Sequence, residues 1–210
     1  IAWWDAWEKA NAGKIRVTEQ DFSTFSAIRD SVRAHPIADA LLSEGEAEVT
    51  FRCQAARYAI QCRPDWINCG ASLALAERLN ALGVAIKEGQ PYCVDLKTVP
   101  SLSDLDYTNF SRNFVQFGYH RQGPMYRGVI QSAVDLTVDL FFFIAVEKAD
   151  LFETAVFIPD VSANDQGWAE VASDLARLSE CYESQKWPGT PHTLQTITLP
   201  AWYLKKEGAL

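Results

Sequence analysis

A chain of 210 residues that is 48% hydrophobic and 22% charged can bury a sizeable core, so disorder is excluded as its main state and one domain over residues 1–210 is predicted. The longest uncharged apolar run, near Leu140 to Val146, is too short to cross a bilayer, so no membrane association is expected. A net charge of -8 argues against broad, non-specific attraction to nucleic acid; any DNA-binding surface must be local or assisted by bound cations.

The opening Ile1-Ala-Trp-Trp-Asp5 places an acid where the basic region of a leader would lie, and an initial Ile suggests a fragment lacking upstream residues. Five cysteines, Cys53, Cys62, Cys69, Cys93 and Cys181, include no C-x-x-C pair and fit neither a disulfide framework nor a zinc ribbon. The simpler reading is a reducing cytoplasm, with Cys62 and Cys93 buried as small hydrophobes.

Thr18 and Asp21 form a capping-box pattern, and Phe22, Phe25, Ile28 and Val32 follow at helical spacing, predicting a helix to about Ala34 with this stripe on the core. Pro36 permits a short second helix through Leu42, stopped by Gly45. Glu48–Phe51 and Tyr58–Arg63 read as a hairpin, followed by a helix over Leu73–Leu82 and a strand over Tyr92–Lys97. Further helices are expected at about Ser103–Phe114 and Gln122–Leu136, with Pro124 in the first turn of the latter because a proline deeper in a helix costs ~3 kcal/mol. The apolar strand Leu140–Val146, its partner Thr154–Ile158, and a long helix capped by Asp160 and ending near Gln185 complete the pattern. The order predicts an α/β fold, a mixed sheet flanked by helices.

Asp95 and Lys97 lie two apart on a predicted strand, so their side chains share one face while Leu96 takes the other. D-x-K is short, and a surface strand with a modest ion pair also satisfies it. Arg63-Pro-Asp-Trp66 adds a second carboxylate at a strand terminus, where a turn-forming Asp is the plain alternative. Two acids from adjacent strands can hold one Mg²⁺, which favours one or two carboxylates plus waters and substrate phosphate. Lys97 would then orient or deprotonate a water attacking phosphorus. Glu48, leading into a strand, is a third acid able to share the metal. Gln122 and Tyr126 stand four apart on one helix face, where they could grip phosphate or hold the lysine, or where Tyr126 could simply be core. Arg121 and Arg127 add local positive charge, and a helix start near Gln122 offers N–H groups to phosphate.

In this order, Glu48-Val-Thr-Phe51, Arg63-Pro-Asp-Trp66, Val94-Asp-Leu-Lys-Thr98 and Tyr119-His-Arg-Gln122 with Tyr126 resemble the PD-(D/E)xK nuclease superfamily, most closely its exodeoxyribonuclease VIII (RecE-like) branch of phage and prophage exonucleases. Trp187-Pro-Gly189 and Leu199-Pro-Ala-Trp202 are similar to the tail of that branch, and the likeness extends over most of residues 5–204. The resemblance implies a restriction-endonuclease-like core, Asp65 and Asp95 as metal ligands with Glu48 as acidic partner, Lys97 as the catalytic lysine, and Gln122 and Tyr126 as a supporting pair. His120, Arg121 and Arg127 are candidates to contact substrate. It implies Mg²⁺, with Mn²⁺ as substitute, and hydrolysis of double-stranded DNA ends in phage-type recombination by a homo-oligomer working beside a single-strand annealing protein. Two features depart from the pattern. Relatives carry a metal-associated His on a helix ahead of the first acidic motif, whereas His35 here reads as a helix-boundary residue; and Cys69–Gln90 is an insertion between the Asp motifs. His192 reads as structural or solvated. The alternative from another class is a non-catalytic DNA-end-binding or scaffolding module. A site-specific endonuclease ranks third, for want of base-reading elements.

Overall fold

The computed structural model describes residues 2–55, 58–101, 106–149, 151–190 and 193–199; His192, Ser103 and the end of the Leu199–Trp202 tail motif fall outside them. Seven helices and seven strands are found among the described residues. In chain order they are α1 (Ala2–Ala10), α2 (Glu19–Ala34), α3 (Pro36–Leu41), β1 (Glu46–Ala47), β2 (Phe51–Ala55), β3 (Tyr58–Cys62), β4 (Trp66–Asn68), α4 (Leu73–Ala81), β5 (Tyr92–Val99), α5 (Tyr107–Gln116), α6 (Tyr119–Val134), β6 (Leu140–Glu147), β7 (Thr154–Phe157) and α7 (Val161–Ser184).

A five-stranded mixed sheet runs β1-β4-β5-β6-β7, parallel only between β5 and β6, and β2-β3 form a separate two-stranded sheet. Parallel neighbours need a long crossover, here α5 and α6, and the crossover lays α6 over one face of β5. That face carries Cys93, Val99, Phe141, Phe143 and Ala145, packed with Phe110, Val129 and Ile130 of the crossover helices. The other face carries Val94, Phe142, Ile144 and Val146 against α2, α3 and α4. Strand β6 is covered on both faces, so it reads Leu-Phe-Phe-Phe-Ile-Ala-Val without alternation.

Chain contacts divide the molecule into Ile1–Leu175, which holds both sheets, and Ala176–Leu210. In the second unit Tyr182 and Trp187 meet edge to face at 5.1 Å, and Gln185 Nε2 donates to the Tyr182 carbonyl at 2.8 Å.

Several sequence expectations are met with changed boundaries. Thr18 and Asp21 form the capping box, yet of the apolar stripe on α2 only Val32 is buried; Phe22 and Phe25 are 64% and 57% exposed because the sheet is covered only by the C-terminal half of the helix. The first hairpin strand begins at Phe51, not Glu48. Glu48 lies between β1 and β2 with φ 58, a left-handed conformation that breaks strand pairing. Pro64, which has no N–H to give a ladder, ends β3, and the chain then adds the unforeseen strand β4 to the main sheet.

Helix α6 starts at Tyr119, three residues before the expected Gln122, so Pro124 lies inside it. A proline at 124 leaves the His120 carbonyl without its helical donor. The backbone of Gly167 on α7 approaches that carbonyl so closely that a Cβ on Gly167 would overlap the oxygen. The bare Cα thus covers the gap, a place for a weak Cα–H···O contact. Helix α5 starts at Tyr107, capped by the Asp106 carboxylate on the Thr108 N–H, and Asp160 caps α7 through the Ala163 N–H.

Candidate active site

Strand alternation on β5 sends Asp95 and Lys97 to the α6 side and Leu96 to the other. Asp95 is 4% exposed, a degree of burial that an ionised carboxylate tolerates only when paired. Its Oδ2 meets Lys97 Nζ at 2.5 Å, and its Oδ1 accepts from Gln122 Nε2. Gln122 Oε1 in turn accepts from Lys97 Nζ at 2.9 Å, closing a three-membered ring of contacts. Both functions of the amide are used, donor to the acid and acceptor from the amine, so a carboxylate or a second amine at 122 could not replace it. Beneath the amine lies the face of Tyr119, 4.4 Å from Nζ to the ring centroid, with Phe143 behind it.

The second acid arrives through β4. Antiparallel pairing sets Trp66 opposite Val94, and Asp65 lies one residue before this end of the ladder. Its Oδ2 accepts the Leu96 N–H at 2.7 Å, which fixes the carboxylate beside the strand carrying the pair. Burial pushes the Asp95 carboxyl above the ordinary carboxylate range, and the charge on Asp65 pushes it further. The Lys97 and Gln122 donors oppose that rise. Tyr126, half-buried on the same helix face as Gln122, has its phenol raised by burial, with a hydrogen bond from Gln122 acting against it.

Glu48 is tied to this region through its backbone, its N–H donating to the Asp65 carbonyl at 3.1 Å, but its carboxylate is held by Arg63 at 2.7 Å. His120 Nε2 lies 2.9 Å from Glu170 Oε2, and the Arg121 guanidinium pairs with Asp174 and, more loosely, Glu170. Arg127 donates to the Asp139 carbonyl and to Asn164 Oδ1, between α6 and the start of α7. The structure therefore brings together Asp65, Asp95, Lys97 and Gln122, with Tyr126 near them. Acids on α7 engage His120 and Arg121, and Arg127 is spent on the Asp139 carbonyl and on Asn164 of α7. His35 caps α3, its Nδ1 accepting the Ala38 N–H at 3.3 Å. Sequence reasoning passed over Tyr119 as a site residue; its i, i+3 relation to Gln122 on a helix was the available signal.

Among the described residues no three His, Cys, Asp or Glu side chains converge as a ready metal cage, and no helix is long and apolar enough to cross a membrane. Asp65 and Asp95, close enough for the charge of one to act on the other, nonetheless suit a hard cation that takes one or two carboxylates and fills its shell with water and phosphate. Asp65 and Asp95 keep lone-pair capacity beyond the bonds described.

Residues 85–199, more than half of the chain, match the family model described as a PDDEXK-like domain of unknown function (DUF3799). The chain belongs to this family. The matched stretch of the PDDEXK-like domain includes Asp95, Lys97, Gln122 and Tyr126 and begins after Asp65. A solved structure of a candidate exonuclease from Eubacterium rectale resembles the chain with a TM-score of 0.58 and 14% identity, over 98% of this chain and 74% of that one, a likeness of fold. A second solved protein, SSO0001, reaches a TM-score of only 0.36 at 12% identity, over 82% of this chain and 61% of that one. No curated protein matches the sequence.

Proposed function

We propose that this PDDEXK-like chain is a metal-dependent exodeoxyribonuclease that hydrolyses phosphodiester bonds at the ends of double-stranded DNA. The observation that carries the reading is the closed set Asp95–Lys97–Gln122, with Asp65 anchored beside it on the Leu96 N–H of the same strand. Asp65 and Asp95 would hold Mg²⁺, or Mn²⁺ in its place, which when bound offsets the negative charge developing on the phosphoryl oxygens.

Lys97, fixed as a donor between Asp95 and Gln122, presents its remaining proton to the attacking water or to a phosphoryl oxygen. Gln122 keeps the amine from swinging away, and Tyr119 screens its other side. The water oxygen forms the new bond to phosphorus and gives up a proton to solvent, while the bond to the leaving ester oxygen breaks and that oxygen takes up a proton from solvent in exchange. Place in phage-type recombination, a strand-annealing partner and assembly into a homo-oligomer belong to the same proposal; they rest on the RecE-like motif order.

The test uses the full chain with linear duplex DNA and Mg²⁺, measuring acid-soluble nucleotide beside Asp95→Asn and Lys97→Ala. Release by the parent alone is expected, and equal release from all three rejects the assignment. A second reading, a DNA-end-binding module without catalysis, is favoured by the net charge of -8 and by His35, which is engaged as the cap of α3. Calorimetric titration with Mn²⁺ separates them: heat that disappears in Asp65→Asn and Asp95→Asn supports the enzyme, and no heat in the parent supports the module.

A further inference from the structure

The corner between α5 and α6 carries an aromatic step from solvent to the Lys97 amine. Phe117, the C-cap of α5, is 61% exposed, and its ring packs on Tyr119 with centroids 5.7 Å apart and planes 31° apart. Tyr119 is the ring beneath Lys97 Nζ. Its own backing is the core, through Phe143 at 6.0 Å and Phe114 at 6.4 Å. Gly118 joins the two rings with φ +68, a turn that a side chain rarely adopts, and the Phe117 N–H is bonded to the Asn113 carbonyl. The exposed ring is therefore mounted on two helix ends.

We propose that Phe117 is a ledge on which a nucleobase of the bound DNA strand stacks, holding that strand as its phosphate meets Lys97. The proposal rests on the nuclease reading above and names a residue that positions its substrate. Distance supports it. With 4.4 Å from amine to the Tyr119 ring and 5.7 Å onward, the Phe117 ring lies no farther than about 10 Å from the amine. That is about three steps of a stacked strand at ~3.4 Å each.

Charge supports it as well. The chain carries a net charge of -8, and Arg121, near the start of α6, is already paired with Asp174 and Glu170. Grip through phosphates is limited here, whereas stacking on an aromatic face needs no positive charge and tolerates any base. A Phe has no hydrogen-bonding group, so the ledge would act on DNA ends of any sequence.

The experiment places 2-aminopurine at successive positions from one end of a linear duplex and titrates it with full chain carrying Lys97→Ala, so that cleavage does not interfere. Fluorescence change at one position near the end is expected. Phe117→Ala in that background should abolish the change and weaken binding about tenfold to a hundredfold, and Phe117→Trp should restore both. The Phe117→Ala melting temperature should match its parent, since the ring is mostly exposed.

Unchanged binding and fluorescence in Phe117→Ala overturns the ledge. So does a lowered melting temperature, or an altered oligomeric state without altered fluorescence, since the ring would then be structural or a contact between copies. If Lys97-containing protein degrades linear duplex and Phe117→Ala degrades it with the same KM, the ledge falls while the nuclease reading stands. If the parent neither binds nor degrades DNA, both fall.

Discussion

Replacing Lys97 by Met removes the amine from a site built around a buried charge. Asp95 has 5% and Lys97 16% of its side chain accessible, so the pair is nearly dry. Breaking a buried pair by deleting one partner costs about 3–5 kcal/mol, because the remaining charge is left uncompensated. Gln122 still donates to Asp95 in the variant, and the amine end of the site is partly open, so a loss of about 2–3 kcal/mol is expected at pH 8. In a domain of this size that lowers the melting temperature by about 5–10 °C.

The loss depends on pH with a definite sign. Burial already raises the Asp95 carboxyl above 3.8, and removing the opposing Lys97 charge raises it further. Between the unfolded value and the raised one the folded protein binds more protons than the unfolded chain, so stability falls as pH rises through that window. The penalty is therefore largest above the raised value and shrinks toward acid, where Asp95 becomes neutral.

Urea unfolding in EDTA, at pH 8 and pH 5, with the parent, Lys97→Met, Asp95→Asn and the double variant, measures this directly. The gap between parent and Lys97→Met should narrow at pH 5, and adding Asp95→Asn to Lys97→Met should recover most of the loss at pH 8. A gap of equal size at both pH values, or a double variant as unstable as the sum of its parts, refutes the idea that an uncompensated buried carboxylate causes it.

Gly167→Ala forces a Cβ into the His120 carbonyl and should cost about 3 kcal/mol or more, whereas Gly189→Ala, with nothing within 4 Å, should stay within about 0.5 kcal/mol; thermal unfolding compares them. Native alkylation followed by mass spectrometry should modify exposed Cys69 well before Cys62 and Cys93. Burial pushes the Cys62 thiol up to about 12 and that of Cys93 higher still, so both should react only on unfolding.

The Asp95–Lys97 face, the capping box at Thr18 and the apolar strand Leu140–Val146 are all legible in the sequence, because each is set by neighbours within a few residues along the chain. Alternation on a strand is local geometry, and so is a cap. Gln122 and Tyr126 could be placed on one helix face, but which lysine the amide would meet depends on the crossover that lays α6 over β5. The misplaced elements share another cause. Pro124 argues locally for a helix starting at Gln122, and only the approach of Gly167 to the stranded His120 carbonyl shows how the helix accommodates it. Glu48 reads as the first residue of a strand until Pro64 sends the chain into β4, and it then takes a left-handed turn whose carboxylate pairs with Arg63. The sequence by itself determined which side chains share a surface; long-range strand pairing and helix packing decided which surfaces meet. The contacts Lys97–Gln122, Asp65–Leu96 and His120–Gly167 join residues 25, 31 and 47 positions apart, separations at which neither periodicity nor propensity carries information.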